Sequence, residues 1–201
     1  MTGGSVADDL AKSRQGDGEA YARIVNNYQS QIARRMRLFA RDPAIIEELV
    51  QEVFVNAYFS LAGFRGEGTF DAWLARIATR VGYRYWKSSR RRKYEVNRGD
   101  DWWQGLAEQP IDELDPRTAG RLVQDLLAGL PPRDRLVLLL VYVEGHSTAE
   151  AARLAGWSQT MIKVQAFRAR RKLRALFAKL GISGVRTAIE AAAEIASHER
   201  T

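Results

Sequence analysis

The helix predicted over residues 70–92, for which Thr69 is the predicted N-cap, carries a row of cations whose spacing places them on one face. Arg76, Arg80 and Arg84 are four residues apart, and Lys87 continues the row. Like charges at this spacing repel each other by about 0.2–0.5 kcal/mol per pair, so the row is favourable only where an anion neutralises it. Aromatic residues lie between the cations, at Tyr83, Tyr85 and Trp86, whereas we assign Trp73 to the core. Rings that stack on bases and cations that follow phosphates indicate a site for single-stranded nucleic acid.

A second basic helix ends a segment whose caps and turn predict a helix-turn-helix. Gly145 ends an apolar helix, and Ser147 or Thr148 can cap a short helix that ends near Gly156. A tight turn follows, and its Ser158 can cap a long basic helix. In this motif the second helix enters the major groove, where its early residues meet base edges and its later cations reach phosphates. A helical hairpin with a solvated basic face is the alternative, but caps, turn length and charge all agree with DNA binding.

A third surface is predicted on the helix that begins at Pro43. Its apolar residues would face the core and leave a polar face outside. That outer face comprises Glu48, Gln51 and Glu52. DNA would repel an acidic face, so its functional interpretation is a docking site for a protein. On these residues alone, a solvated helix face is the favoured interpretation.

Side chains that catalyse reactions or bind metals are scarce. The chain has no Cys, which excludes disulfides, thiolate zinc sites and cysteine nucleophiles. Its two histidines, His146 and His198, are far apart in sequence. A nucleic-acid enzyme would need a second acidic cluster beside that of Glu47, Glu48 and Glu52, and the N-terminal half offers none. We therefore predict no catalytic residue, no metal site, no cofactor and no enzymatic activity.

The sequence also predicts a cytoplasmic protein without membrane insertion. The polar N-terminus lacks the apolar segment of a signal peptide. The longest apolar run, over residues 136–143, is far shorter than the roughly 20 residues that span a bilayer. The absence of Cys agrees with a reducing compartment.

Charge is unevenly distributed along the 201 residues, whose net charge is +7. Two basic blocks, over 76–93 and 163–179, are separated by an acidic stretch with two prolines. Helical periodicity recurs nearly throughout, so we predict an all-α fold of two small helical domains joined by an acidic flexible linker. The predicted parts are an N-terminal tail over 1–19, a first domain over 20–94, the linker over 95–116, a second domain over 117–180 and a C-terminal extension over 181–201.

Three strings, in this order, resemble a known family: IIEELVQEVFVNAY, FRGEGTFDAWLARIATRVGYRYWKSSRRRK and LLAGLPPRDRLVLLLVYVEGHSTAEAARLAGWSQTMIKVQAFRARRKL. They are similar to bacterial sigma factors of the extracytoplasmic-function (ECF) type, in the sigma-70 family, and the resemblance covers residues 21–176. It implies a subunit that binds core RNA polymerase, recognises the minus-thirty-five and minus-ten promoter elements and promotes DNA melting. A separate anti-sigma factor is a further partner that the resemblance implies.

The resemblance also assigns site residues. The surface that grips core polymerase would be Glu48, Gln51 and Glu52. The minus-ten element, including its melted strand, would be held by Phe64, Arg65, Phe70, Arg76, Arg80, Tyr83, Arg84 and Lys87. The minus-thirty-five duplex would be bound by Ser158, Lys163, Val164, Phe167, Arg168 and Arg170. The acidic linker would thread through polymerase channels, where its charge mimics nucleic acid.

The chain departs from the family pattern in both DNA-binding helices. The family usually has Asn and Asp where this chain has Arg80 and Arg84, so the strand-binding helix is unusually basic. In the recognition helix, Met161, Val164 and Gln165 replace the common Thr, Ser and Arg. The promoter sequence therefore does not transfer from the family, and Val164 points to an apolar contact such as a thymine methyl.

Two other functions compete with the sigma factor. A stand-alone helix-turn-helix regulator would not need the first basic helix with its aromatic rings, since it binds only duplex DNA. An enzyme acting on nucleic acid ranks last, for want of a second acidic cluster. For the C-terminal extension, a weak apolar stripe predicts a helix that packs on the protein or on a regulator, and a frayed tail is the alternative.

Overall fold

The computed structural model describes residues 5–66, 68–96 and 127–179. Every regular element in those ranges is helical, which confirms the all-α fold. Contacts divide the chain into two units between Tyr85 and Trp86. Residues 97–116 of the predicted linker, residues 117–126 and 180 of the predicted second domain, and the C-terminal extension lie outside the described residues.

The first unit is built from four helices. Helix α1 spans Val6–Arg14, α2 spans Gly18–Met36, α3 spans Pro43–Ser60 and α4 begins at Phe70 and ends at Val96, beyond the boundary of the unit. A 3₁₀ turn, Leu61–Gly63, follows α3 directly. The side chains that share its core are fully or nearly fully buried: Ile24, Ile32 and Met36 of α2, Leu49, Val53, Phe54 and Ala57 of α3, and Leu74, Ala78 and Val81 of α4.

Capping side chains explain where three of these helices begin. Asp17 Oδ1 accepts hydrogen bonds from the backbone nitrogens of the first turn of α2, at 2.9 and 3.0 Å. Asp42 Oδ1 accepts from the nitrogen of Ala44 at 2.9 Å, just before α3. Thr69, predicted as the cap of α4, accepts from the nitrogen of Ala72 at 3.2 Å. Each contact satisfies a backbone donor that a helix start leaves unpaired.

Helix α1 lies inside the predicted N-terminal tail, and the sequence analysis did not predict it. Its nine residues place Leu10 in the core but carry little other apolar surface, so no amphipathic stripe identifies it. A tertiary ion pair holds it instead: Asp9, 2% exposed, meets the Arg23 guanidinium of α2 at 2.7 Å. Such a contact stabilises a short helix that its own propensity would not.

The second unit contains a helix-turn-helix preceded by a buried helix. Helix α5 spans Pro132–Leu138 and widens into a π-helical turn, Leu139–Val143. The sequence predicted one uninterrupted helix here. Because every residue from 136 to 140 is buried, the apolar pattern has no period that could distinguish an α turn from a wider one. Helices α6, Thr148–Ala155, and α7, Gln159–Lys179, follow it.

The structure contains the caps and the terminal glycine that the sequence predicts for the helix-turn-helix. Ser147 and Glu150 form a capping box, in which each side chain accepts from the other residue's backbone nitrogen, at 3.2 and 2.9 Å. The Ser147 hydroxyl and the Ser147 backbone N–H both donate to the Glu150 carboxylate, and these two hydrogen bonds lower the pKa of Glu150 below its usual value. Gly156 ends α6 in the left-handed conformation, with φ of 71°. Ser158 Oγ then accepts from the nitrogen of Met161 at 3.2 Å and starts α7.

Candidate nucleic-acid interface

Helix α4 presents the predicted row of cations to solvent. Arg76, Arg80, Arg84 and Lys87 are all exposed. The opposite side of the same helix is buried, so the core fixes which face the cations share. One polar contact helps to hold that core: the buried hydroxyl of Thr79 accepts a hydrogen bond from the Arg35 guanidinium at 3.0 Å. The row is therefore a single accessible surface of positive charge.

The loop before α4 is supported by an aromatic cluster. Phe64 and Phe70 are buried, with ring centres 5.7 Å apart, and Trp73 lies 5.2 Å from Phe64 and 5.4 Å from Phe70. From α1, the Arg14 guanidinium donates to the Phe64 carbonyl oxygen and lies 5.6 Å from the ring centre. The neighbouring Arg65 is exposed. In this structure, Phe64 and Phe70 brace the loop, and their predicted contact with a base stays a prediction.

The predicted polymerase surface lies on one face of α3. Glu48 and Gln51 are exposed, and Glu52 is half-exposed. Glu52 also forms an ion pair with Arg84 of α4, which the sequence analysis did not foresee. Because the two residues lie on different helices, no local spacing in the sequence signals this pair.

The same face of α3 becomes apolar towards its end. Val55 lies three residues after Glu52, and Phe59 lies four residues after Val55, so both continue the face of Glu48 and Glu52. Their side chains are 54% and 80% exposed. Large apolar side chains at such exposure favour contact with another protein over contact with water. An acidic end and an apolar end thus share one exposed strip of α3.

In the second unit, α7 leaves all six predicted contact residues accessible. Exposed side chains are those of Ser158, Lys163, Val164, Phe167, Arg168 and Arg170. Val164 and Phe167 are 45% and 61% exposed, although both are large and apolar. The packing face of α7, made by Ile162, Ala166, Ala169 and Leu173, is buried. The helix therefore presents cations and apolar groups together, which suits a major groove that offers both phosphates and thymine methyls.

Two other residues of α7 contact a buried carboxylate, although the Lys172 side chain is itself 50% exposed. Gln165 and Lys172 both bind the carboxylate of Asp134, in the first turn of α5. Asp134 is fully buried, and the sequence analysis did not single it out. An acid three residues after Pro131 reads as a common first-turn residue of a helix, so its burial had no sequence signal. Arg170 takes a third position, with its guanidinium 5.8 Å from the ring centre of Tyr142.

Two kinds of site are absent from the described part of the chain. Across residues 5–66, 68–96 and 127–179, no group of three or more His, Cys, Asp or Glu side chains is placed to hold a metal ion. Within the same ranges, no helix combines the length and the apolar character needed to cross a membrane.

Comparison with known families agrees with the two units. The family model for Sigma-70 region 2 matches residues 24–92, which include α3 and the cation row of α4. The model for Sigma-70, region 4 matches residues 120–173, which include the helix-turn-helix. The region 2 match thus covers the first unit's polymerase and strand-binding surfaces, and the region 4 match covers the helix-turn-helix that follows in the chain.

Curated sigma factors are similar to this protein over most of its length. A probable RNA polymerase sigma factor, RfaY of Xanthomonas campestris pv. campestris, is 28% identical over 83% of the chain, which spans 42% of the relative's length. The ECF RNA polymerase sigma-E factor of Haemophilus influenzae is also 28% identical, over 80% of the chain and 89% of the relative.

A solved structure extends the likeness to the fold. CnrH, in complex with the cytosolic domain of CnrY, aligns with a TM-score of 0.52 at 26% identity, over 85% of this chain and 96% of CnrH. Sequence, family models and fold therefore agree with the resemblance stated from the motifs. The chain belongs to the ECF group of the sigma-70 family and is an RNA polymerase sigma factor that acts in promoter recognition.

Proposed function

We propose that three helices each bind a different partner during transcription initiation. Helix α3 binds core RNA polymerase, α4 holds the melted strand of the minus-ten element, and α7 reads the minus-thirty-five duplex. The observation that carries this proposal is that two separate units each expose cations, and that in the described residues the cations of the first unit are accompanied by the acidic face of α3. A protein that binds only duplex DNA needs one such group of cations.

For polymerase binding, the support comes from the composition of the α3 strip. Glu48, Gln51 and Glu52 supply acidic and polar groups, and exposed Val55 and Phe59 continue the same face. An interface with protein takes both kinds of group, with apolar contacts at its centre and charge around them. We propose that the partner surface is basic where it meets Glu48 and apolar where it meets Phe59.

For the minus-ten element, the support is the accessibility of the α4 row. Exposed Arg76, Arg80, Arg84 and Lys87 can follow the phosphates of a single strand. Tyr83, which is half-buried beside the row, is the aromatic group that we assign to a base. Arg65 extends the cations into the loop that Phe64 and Phe70 support.

For the minus-thirty-five element, the support is the geometry of the helix-turn-helix. Ser158 caps the start of α7, which is the end that enters the major groove in this motif. We propose that Lys163, Val164, Phe167 and Arg168 meet base edges and that Arg170 meets a phosphate. Val164 and Phe167 offer no hydrogen bond, so their contacts would be with thymine methyls.

We further propose how the parts are arranged and where the protein works. The domains are residues 20–94 and 117–180, and the acidic stretch over 95–116 links them. The protein is a non-catalytic subunit that works in the cytoplasm with polymerase. An anti-sigma factor restrains it, which is supported by the related CnrH having been solved with a second protein's domain.

Transcription in a purified system tests the central proposal. The full chain is added to bacterial core polymerase with a fragmented genomic template, and transcript starts are mapped. We expect discrete starts that require the chain and share two upstream elements. If the chain binds duplex DNA specifically without core polymerase but directs no initiation, it is a stand-alone regulator and the proposal is wrong.

The polymerase surface has its own test. We expect that replacing Gln51 and Glu52 together by Ala weakens binding of the chain to core polymerase and leaves its thermal unfolding unchanged. The matched control replaces Glu19 and Gln29 of α2, which are exposed residues of the same types. Equal affinity of the two double variants for core polymerase would exclude this assignment.

A further inference from the structure

A fully buried carboxylate links α5 to the recognition helix. Asp134 has an exposure of 0%, and its two oxygens have different partners. Oδ2 accepts from the Lys172 ammonium at 2.6 Å, and Oδ1 accepts from the side-chain amide of Gln165. Both partners belong to α7, whereas Asp134 lies in the first turn of α5.

A carboxylate is not buried in this way without compensation. Taking a charge out of water is strongly unfavourable unless the charge is paired and its oxygens are hydrogen-bonded. Here both oxygens are satisfied, and both donors come from one neighbouring helix. Asp134 is therefore tied to the position of α7, since any movement of α7 would leave a buried charge unpaired.

The spacing of the two donors makes the contact directional. Gln165 and Lys172 are seven residues apart, which is about two helical turns, so they lie on one line along α7. Two attachment points on such a line oppose rotation of the helix about its axis as well as sliding along it. The exposed residues Val164 and Phe167 lie on another side of α7, so their direction depends on this rotation.

We propose that Asp134 is a positioning residue for promoter recognition. It fixes the rotation of α7 so that Val164, Phe167 and Arg168 face the minus-thirty-five bases, and it withholds Gln165 and Lys172 from DNA. A binding constellation must be held to within about 0.5 Å to stay selective, and packed polar supports provide that precision. The inference rests on the proposed role of α7 as the reader of the minus-thirty-five element.

The measurement that tests it is a ratio of affinities. Holoenzyme made with the full chain binds a duplex promoter, taken from a mapped transcript start, and the same duplex with a scrambled minus-thirty-five element. Partial unfolding of the chain lowers both affinities by the same factor, so loss of stability alone leaves their ratio unchanged. Misplacement of the reading helix lowers the ratio.

Asp134→Asn is the main variant, and the chain offers a matched control. Asp9 is also a buried carboxylate, 2% exposed, and pairs with Arg23 at 2.7 Å, but it lies in the first unit. We expect Asp134→Asn to lower the ratio about fivefold or more, the effect of at least one lost base contact. We expect Asp9→Asn to leave the ratio within about twofold of the wild-type value, because no base contact depends on it.

Variants on α7 test the same contact from the other side. Gln165→Leu keeps the pair of Asp134 with Lys172, and we expect it to lower the ratio in the same direction. Combined with Asp134→Asn, its effect should be less than additive, because both changes break one contact. If Asp134→Asn does not fold, Gln165→Leu decides the question.

A second readout addresses Lys172. Removing a phosphate contact reduces the salt dependence of binding by about 0.9 in the slope of log affinity against log salt. We expect Lys172→Met to leave this slope unchanged, because Asp134 holds the ammonium, whereas Arg170→Met should reduce it.

The outcomes separate this inference from the proposed function. An unchanged ratio in Asp134→Asn or, where that variant does not fold, in Gln165→Leu would overturn the positioning role, as would a full reduction of the salt slope in Lys172→Met. A wild-type ratio of about one would mean that α7 does not read this element at all, and the proposed function of α7 would fail first.

Discussion

Glu52 of α3 and Arg84 of α4 form an ion pair that joins two surfaces with different predicted partners. The acid belongs to the strip proposed to bind polymerase, and the cation belongs to the row proposed to bind the melted strand. Both side chains are partly exposed, at 43% and 58%. A pair this exposed contributes only about 0–1 kcal/mol to stability, so either residue can exchange its partner at little cost.

Replacing Glu52 should therefore strengthen binding of single-stranded DNA by the free protein. In Glu52→Gln, Arg84 loses its carboxylate partner and becomes available to a phosphate. We expect a higher affinity for a single-stranded oligonucleotide and a salt slope steeper by about 0.7, the value for one further contact to a single strand. Fluorescence anisotropy at several salt concentrations measures both quantities.

Glu48→Gln is the matched control for this prediction. It removes the same charge from the same face of α3, so it has a similar long-range effect on a nucleic acid. Its salt slope should stay at the wild-type value, because the structure places Glu52, not Glu48, on Arg84. Equal slopes in the two variants would mean that the Glu52–Arg84 pair does not limit strand binding.

Local sequence signals were sufficient for the caps of three helices. Thr69, Ser158 and one of Ser147 and Thr148 were predicted as caps from residue type and position. Thr69, Ser147 and Ser158 each accept the expected backbone hydrogen bond. These predictions succeed because a cap acts over three or four residues and needs no information about the rest of the fold.

Tertiary partners could not be predicted in the same way. Arg84, whose predicted contact with DNA stays a prediction, also pairs with Glu52, and Gln165, treated as a departure in the recognition helix, binds buried Asp134. Phe64, whose predicted contact with a base stays a prediction, is buried against Trp73. Each depends on which helices pack together, and this information is spread over the whole chain.

The two arginines of α7 should differ in what they contribute to promoter binding. We expect Arg168→Ala to weaken binding by about 1–3 kcal/mol and to relax base preference at one position, since it is proposed to meet a base. We expect Arg170→Ala to weaken binding to all sequences alike and to reduce the salt slope by about one, since it is proposed to meet a phosphate.

A library of minus-thirty-five variants, bound to holoenzyme and sequenced, distinguishes these effects. Both arginines are exposed on α7, so each variant serves as the control for the other. A uniform loss for Arg168→Ala across the library would assign it to a phosphate as well.

Gly82 of α4 lies where another residue type would strain the core. It is buried, and a methyl group added there would overlap the ring of Phe39, which is itself 3% exposed. We expect Gly82→Ala to lower the free energy of unfolding by about 1–3 kcal/mol, the usual effect of overpacking. This is opposite in sign to the gain of about 1 kcal/mol that Ala brings within an unobstructed helix.

Denaturant unfolding of two further variants isolates the cause. Gly18→Ala, at the start of α2, has open space around the added methyl group and should not destabilise the protein. Phe39→Leu combined with Gly82→Ala should be more stable than additivity predicts, because the smaller side chain leaves room for the methyl group. Strict additivity would locate the effect of Gly82→Ala somewhere other than the Phe39 ring.

Tyr21 should make the stability of the first unit depend on alkaline pH. Its hydroxyl donates to the Phe54 carbonyl oxygen at 2.5 Å, and its ring meets that of Tyr58 at 5.0 Å. Burial raises the pKa of Tyr21 to about 12 from an ordinary value of 10.0. Because the folded state binds this proton more tightly than the unfolded state, the stabilisation is complete below pH 10 and is lost as the pH rises towards 12.

The variant Tyr21→Phe keeps the ring and removes the titrating group. We expect the wild type to exceed it in free energy of unfolding by about 1 kcal/mol below pH 10, the contribution of one hydrogen bond. This difference should shrink above pH 10, and the ultraviolet titration of the variant should lack the phenol that ionises near pH 12. A difference in unfolding free energy that stays constant up to pH 12 would mean that Tyr21 ionises equally easily in the folded and unfolded chain.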